Sequence, residues 1–351
     1  MKKSLLALAA LTAFAGAASA QSSVTLFGIV DAAYGHVSVS KTAALGSRSV
    51  SGVSNSGLNS SRLGFRGVED IGGGMRAAFW SEGALSNDDG IASGLTLQRR
   101  STVSLLGNFG EIRLGRDYTP SFWNTTVYDP FGTNGVGQAM TPGIISAAGI
   151  TTNTTAVRSN NTIGYLLPGN LGGFNGQIQY GFGEVASNAP NAGQGNYFGL
   201  RVGYAAGPLS VNYGYGNVKG VSGATNVKTN NVGASFDLGF VKPMFFWGNE
   251  KAGTGAKVTA YELGLTAPIG AGEIRAAYSR YDVANSANDW NKFALGYGYN
   301  LSKRTQLYTT YARVNNKGTQ NRSVSNNGLS AGLANPGGNS SGYEFGIRHA
   351  F

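Results

Sequence analysis

The sequence predicts an all-β chain folded as an antiparallel transmembrane β-barrel of sixteen strands. Three observations indicate this fold. Apolar residues alternate with polar or small ones, no segment after the first twenty residues is long and apolar enough for a membrane helix, and short connections alternate with long ones. The 55 glycines and the low charged fraction of 13% are also unusual for a soluble domain, in which about a quarter of the residues carry charge.

The first twenty residues have the features of a secretory signal peptide. Lys2 and Lys3 supply a positive start, Leu5 to Ala18 form an apolar core too short to span a bilayer, and Ala18-Ser19-Ala20 is a small-residue cleavage motif. We therefore expect residues 1–20 to be a signal peptide and residues 21–351 to form the barrel, with the mature chain beginning at Gln21.

Alternation with a period of two defines the strands. Near position 295, for example, Phe293 and Leu295 share one face, whereas Ala294 and Gly296 share the other. The first segment, apolar on both faces, and the eleventh, which contains a proline, are ambiguous. The sixteen predicted strands are residues 22–37, 59–69, 74–86, 96–107, 110–117, 160–167, 173–185, 196–206, 208–218, 229–238, 240–249, 256–267, 271–283, 289–301, 303–315 and 341–351.

The connections between these segments fall into two classes. Tight turns at one rim and long polar loops at the other are typical of transmembrane barrels. An even number of strands then places both termini at the rim with the short turns. The short connections include residues 70–74, 108–109, 207–208, 268–270 and 301–303, and the long ones include 38–58, 118–159, 219–228 and 316–340.

The mean hydropathy of the chain is slightly negative, at −0.12. A barrel accounts for this value because only alternate residues contact lipid, while the others contact water. A closed sheet also pairs every backbone N–H and C=O group, as the bilayer interior requires. Sixteen strands leave an aqueous channel, whereas eight would be filled by side chains. The pattern therefore predicts a pore for passive diffusion of small solutes.

Short motifs in a fixed order resemble those of the Gram-negative general diffusion porins of the β-proteobacterial and neisserial type. Each motif alone is weak, but their order extends from the signal peptide to the last residue. The matching segments are Gln21 to Tyr34, Ser61 to Gly67 with Glu69-Asp70, Phe109 to Arg116, Tyr118-Thr119-Pro120, Asp129 to Gly132, Arg158 with Asn160-Asn161 and Tyr165, and the final Phe351.

The resemblance implies a homotrimer in the outer membrane of a Gram-negative bacterium, with lipid, small ions and hydrophilic solutes as partners. It implies a third loop, here about residues 117–159, that folds into the lumen and narrows the pore. Phe351, at the end of an alternating aromatic segment, resembles the terminal assembly signal of outer-membrane proteins.

The resemblance also implies a constriction at which arginines on the barrel wall face this loop. Arg62, Arg99 and Arg158 match those positions, Arg100 follows Arg99, and Asp129 lies near the middle of the loop. The parity of Arg62 independently directs it inward. That of Arg99 places it on the lipid face, with Val103 and Leu105, unless a bulge intervenes.

Alternation predicts further charged residues that line the lumen. Arg116 shares the face of Ile112 and Leu114, so we do not assign it to the pore. The third loop has few acidic residues, and we therefore expect a weak to moderate preference for anions. The residues predicted to line the lumen are Arg66, Arg76, Arg113, Glu82, Glu111, Arg201 and Arg275, with Glu69, Glu82 and Glu111 as candidate partners for the arginines.

Other classes of function find little support. The chain has two histidines, His36 and His349, at opposite ends of the predicted barrel, so a histidine-centred catalytic site is not expected. No spacing of residues predicts a metal or cofactor site. The net charge of +10 comes from dispersed residues, with no basic run longer than two, and does not predict nucleic-acid binding. A substrate-specific sugar or anion channel and a surface adhesin on a barrel scaffold remain as alternatives.

Overall fold

The computed structural model describes residues 23–41, 45–90, 96–140, 142, 154–220, 226–325 and 328–351. The expected signal peptide lies outside these residues. The strands are β1 (Ser23–Val39), β2 (Arg48–Asn55), β3 (Arg62–Gly72), β4 (Met75–Ala84), β5 (Arg100–Gly107), β6 (Gly110–Tyr118), β7 (Arg158–Leu166), β8 (Phe174–Gly181), β9 (Tyr197–Ala206), β10 (Leu209–Val218), β11 (Val227–Phe236), β12 (Lys242–Ala252), β13 (Lys257–Ile269), β14 (Gly272–Val283), β15 (Trp290–Asn300), β16 (Thr305–Asn316) and β17 (Asn339–Ala350).

The strands form one closed sheet in which every pairing is antiparallel. On one side β1 pairs with β17, from Ile29 opposite Ala350 onward. On the other side the first half of β1 pairs with β3 and the second half with β2. The segments β2 and β3 are therefore two halves of one barrel strand, separated by residues 56–61. The result is the predicted sixteen-stranded antiparallel barrel, closed by the pairing of β1 with β17 and β3; within the described residues β2 has a ladder partner on one side only, β1.

The main difference from the predicted strands is β2, which the sequence pattern assigned to the connection 38–58. Arg48–Asn55 is rich in serine and glycine and has no continuous apolar face, so alternation could not reveal it. Its partners in β1 explain why it is extended, because it pairs with Ala32 to Val39 over its whole length. The eleventh predicted strand is present as β12, with Pro243 as its second residue.

The connections confirm the predicted alternation of short turns and long loops. The tight turn between β3 and β4 uses Gly72, Gly73 and Gly74, which all have positive φ angles that other residues rarely adopt. The longest connection joins β6 to β7 and contains the helix α1 (Pro120–Tyr128). The start of β1 and the end of β17 lie at the rim with the short turns.

Side chains alternate between an outer and an inner surface along each strand. In β15, Phe293 and Leu295 point outward and are exposed, whereas Ala294 and Lys292 point inward and are buried. These inner residues are buried because chain inside the barrel covers them; Lys292 Nζ, for example, donates a hydrogen bond to the carbonyl of Gln138. Within the described residues, no helix has the length and hydropathy needed to cross a membrane.

Candidate functional site

The helix α1 opens the third loop at a sequence well suited to start a helix. Thr119 is the N-cap, and its side chain accepts a hydrogen bond from the backbone N–H of Phe122 at 3.3 Å. Pro120 occupies the first helical position, where its missing N–H costs nothing. The helix ends at Asp129, whose N–H donates to the carbonyl of Thr125. The chain therefore turns into the barrel at a defined point.

The helix lies against the inner surface of β9 to β12. Asn124, fully buried, donates to the Asn212 carbonyl at 3.1 Å and to the Asn231 side chain at 2.9 Å. The ring of Tyr128 packs directly over Gly233, where a Cβ atom would overlap it. These contacts hold the helix against one side of the barrel wall.

The loop continues across the inner surface of the strands that follow. The buried carboxylate of Asp129 accepts hydrogen bonds from the N–H groups of Phe131 (2.8 Å), Thr133 (2.7 Å) and Ala139 (2.8 Å). Farther along, the N–H of Met140 donates to the Tyr281 hydroxyl at 2.8 Å. Asp129 thus organises the backbone of the loop and directs its carboxylate away from the lumen.

The space left open lies between the loop and the wall formed by β1 and β3 to β8. It is a cavity of about 490 Å³. The wall contributes charged groups together with Phe27 and Trp80, and the helix of the loop contributes Trp123. Its lining residues are Phe27, Ile29, Arg62, Trp80, Glu82, Arg100, Arg113, Asp117, Tyr118, Trp123, Leu166 and Gln177.

Three arginines meet beside this cavity, and we refer to Arg62, Arg99 and Arg158 as the arginine cluster. Glu82 accepts from Arg99 Nε at 2.7 Å and lies 3.5 Å from Arg62 Nη1. The hydroxyl of Tyr118 accepts from Arg99 and from Arg158, each at 3.0 Å. The guanidinium of Arg158 also stacks on the Tyr118 ring, 4.5 Å from its centroid. Three positive charges thus lie together with one carboxylate, which contacts Arg62 and Arg99.

A second group of charges lies next to the arginine cluster on β5 and β6. Arg113 binds Glu111 and Asp117, each at 2.7 Å, and Arg100 Nε lies 3.6 Å from Asp117. In this group two arginines are balanced by two carboxylates. The two groups together contain five arginines and three carboxylates, an excess of two positive charges.

Arg99 reaches the lumen although its parity places it with Val103. The N–H of Arg99 donates to the Glu82 carbonyl at 2.9 Å, while Arg100 is the ladder partner of Glu82. Two residues opposite one is the arrangement of a β-bulge, and the extra residue changes the direction of the side chain. Both arginines consequently face inward.

The structure places the other predicted lumen residues at different positions along the barrel axis. Arg66 lies inside the barrel, with its guanidinium carbon 5.4 Å from the centroid of the Phe27 ring and 5.3 Å from that of Trp80. Arg201 Nε donates a hydrogen bond of 3.1 Å to the side-chain oxygen of Asn124 in the helix. Arg76 lies at the start of β4, near the short-turn rim. The last of the predicted lumen residues is Arg275, bound to Glu273 at 2.7 Å. Arg116, which we did not assign to the pore, donates to the Gln98 carbonyl and to the Asn160 side chain.

Phe351 closes the barrel at the short-turn rim. It exchanges two backbone hydrogen bonds of 3.1 Å with Gly28, beyond the last ladder pair of β1 and β17. Its ring lies over Gly28, where a Cβ atom would collide with it. The final residue is thus part of the closing seam.

Sequence reasoning did not assign the aromatic groups of the cavity. Phe27 and Trp80 have the parity of Asp31 and Glu82, which point inward, so alternation alone could have identified both. Tyr118 and Trp123 flank the Thr119-Pro120 helix start, which was the available indication that this segment is ordered. Among the described residues, no group of three or more potential metal ligands is present.

Comparison with known proteins identifies the family. The model of the Gram-negative porins matches residues 7–319. The chain belongs to the Gram-negative porins. It is 44% identical to outer membrane porin protein 32 of Delftia acidovorans over the full length of both chains. It is also 30% identical to an outer membrane porin protein of Bordetella pertussis, covering 89% of this chain and 94% of that one.

Solved structures agree with this assignment. The anion-selective porin from Comamonas acidovorans is 40% identical to this chain and superimposes with a TM-score of 0.84. The match covers 94% of this chain and 100% of that one. An OmpF porin of Salmonella typhi, at 17% identity and a TM-score of 0.63, shares the fold. This porin is therefore a passive diffusion channel of the Gram-negative outer membrane and not an enzyme, as the sequence predicted.

Proposed function

We propose that this porin passes small hydrophilic solutes and ions and prefers anions. The excess of two positive charges beside the cavity carries the proposal. Charges on a narrow wall of low dielectric constant act strongly on passing ions, so an anion is attracted and a cation repelled at this point. The constriction consists of Arg62, Arg99, Arg100 and Arg158.

The Asp129 carboxylate, on the loop side of the lumen, does not oppose the positive charges of the wall. The family resemblance places Asp129 at the constriction. Its three hydrogen bonds to backbone N–H groups instead direct the carboxylate into the loop. This arrangement favours a field set by the charged groups of the wall, and the Comamonas acidovorans porin, to which this chain is 40% identical, is an anion-selective porin.

Reversal potentials across a planar bilayer test the proposal. With a tenfold gradient of KCl, we expect a sign that corresponds to a higher permeability for chloride than for potassium. A reversal potential near zero, or of the opposite sign, would reject the anion preference. The channel function itself is read separately from the conductance, which is present in either case.

We also propose that three copies assemble in the membrane and that the mature chain begins at Gln21. Family membership supports both. Conductance that rises in groups of three equal steps, together with a trimer mass for the detergent-extracted protein, would agree with the assembly. N-terminal sequencing of that protein would give Gln21 first, and a chain that retains Met1 would contradict the cleavage.

A channel with a binding step is the second candidate, and the aromatic lining favours it. Phe27, Trp80, Tyr118 and Trp123 border the same cavity as Arg62, Arg100 and Arg113. Such a site would make the conductance saturate as the concentration of an anionic aromatic solute rises. A general channel gives a conductance proportional to concentration, and benzoate compared with chloride distinguishes the two.

A further inference from the structure

Three lysines form a row on the outer surface of the barrel, and we refer to Lys228, Lys251 and Lys257 as the lysine row. In the ladder, Lys251 of β12 lies directly opposite Lys228 of β11 on one side and Lys257 of β13 on the other. Their chain neighbours Val227, Ala252 and Val258 are buried inside the barrel. Since successive side chains point to opposite faces, all three lysines point outward.

Like charges directly opposite each other destabilise a sheet. In the described part of the chain, no carboxylate lies within ion-pair distance of any of the three ammonium groups. On the same face, Asp282 accepts from Arg280 at 2.7 Å. The adjoining connections, residues 219–226 and 253–256, contain no Asp or Glu. The connection that follows β14, next to Lys257, contains Asp289, whose carboxylate accepts from the N–H of Val283 at 3.0 Å. None of these carboxylates is paired with the row in the described part of the chain.

The position of the row relative to the membrane follows from the ladder. Directly below it lies a polar set of partners, Tyr215, Asn230, Asn249 and Thr259, and below that an aromatic set, Tyr213, Trp247 and Tyr261 with Val232 among them. Tyrosine and tryptophan collect at the membrane–water interface. The lysines are four residues farther toward the rim with the long loops, about 13 Å along the strand.

We propose that the lysine row binds the phosphate groups of a phosphorylated glycolipid in the outer leaflet of the membrane. Neighbouring strands are about 4.8 Å apart, so the three lysines span about 10 Å and can surround one or two phosphates. Lysine binds phosphate as a point charge. The aromatic set below offers a surface for acyl chains, which a free phosphate ion or a nucleic acid does not have. A ligand with phosphate above and acyl chains below fits both surfaces.

Binding of diphosphoryl lipid A to the purified, detergent-solubilised porin tests this proposal, with native mass spectrometry as the measurement. The test variant combines Lys228→Gln, Lys251→Gln and Lys257→Gln. The matched control combines Lys41→Gln, Lys303→Gln and Lys317→Gln, which remove the same charge from exposed sites elsewhere. At about 1 kcal/mol for each lysine near a membrane surface, the test variant binds roughly a hundredfold more weakly, and the control binds like the wild type.

Single-channel conductance shows that each variant is folded, because none of these lysines lies in the lumen. If the triple variant does not fold, Lys251→Gln alone, which removes the central charge, is expected to weaken binding to a smaller but measurable extent. Equal affinity of the folded variant and the wild type would overturn the proposal. So would equally tight binding of dephosphorylated lipid A, or displacement of lipid A by inorganic phosphate at the same concentration.

Discussion

The Nε atom of Arg158 donates a hydrogen bond of 2.7 Å to the backbone carbonyl of Arg99. Two side chains of the same charge are thereby held next to each other by a neutral acceptor. The Tyr118 hydroxyl, also neutral, receives the second bond from each. Arg99 also donates to the Glu82 carboxylate at 2.7 Å, so its charge is partly balanced. The acceptors of Arg158 are neutral, and they fix its guanidinium without cancelling its positive charge.

Removing both of these charges is expected to reduce the anion preference. A unit charge acts on an ion 5 Å away with about 0.8 kcal/mol in water, which corresponds to roughly a fourfold change in relative permeability for each arginine. The double variant Arg99→Gln with Arg158→Gln therefore shifts the reversal potential toward zero. The double variant Arg201→Gln with Arg275→Gln, which removes two lumen arginines outside the arginine cluster, is the control. A shift as large in the control would show that any lumen charge has the same effect.

Removing the carboxylate of the arginine cluster is expected to have the opposite effect. Glu82 is buried and contacts Arg62 and Arg99, so Glu82→Gln keeps the shape but raises the net charge of the cluster. The chloride preference should rise by a factor of about four, by the same Coulomb reasoning. Glu69→Gln, at an exposed position near the short turns, serves as the control. An unchanged reversal potential in the Glu82 variant argues against its role.

The anion preference should weaken as the salt concentration rises. The Debye length falls from about 10 Å at 0.1 M to about 3 Å at 1 M, so mobile ions screen the arginines. Reversal potentials measured at one fixed concentration ratio, in dilute and in concentrated KCl, report this effect. Selectivity that stays constant over the range would point to pore geometry instead of charge. The double arginine variant should show the smaller dependence on salt.

A side chain at position 233 should displace the third loop. The Tyr128 ring occupies the space that a Cβ atom of residue 233 needs, so Gly233→Ala moves the helix toward the lumen. We expect a lower single-channel conductance and more frequent closures. Gly169→Ala, where a Cβ atom meets nothing within 4 Å, is the matched control. Wild-type conductance in the Gly233 variant would mean that the loop adjusts without narrowing the pore.

The barrel could be predicted because its information is local. The alternation of side chains along a strand indicates which residues face lipid, and this rule alone was enough to place Arg62 and Glu82 inside the barrel. The rule failed for β2, whose residues are small or polar on both faces and which is extended because β1 provides its partners. For Arg99 it required the bulge opposite Glu82, which depends on how two strands meet.

The path of the third loop could not be derived from local pattern. The Thr119-Pro120 start is visible in the sequence, but the contacts that hold the loop join residues far apart, such as Tyr128 with Gly233 and Met140 with Tyr281. The role of Asp129 depended on those contacts. A carboxylate in a loop near a pore looks like a counter-charge until its three backbone partners are known.

The eight residues of the two charged groups, from Arg62 to Arg158, come from one continuous part of the chain. The strands from β9 onward supply the surface on which the third loop rests. On the proposed role of these eight residues, recombination between related genes that replaces residues 62–158 would transfer the ion preference in one step and leave the strands under the loop unchanged.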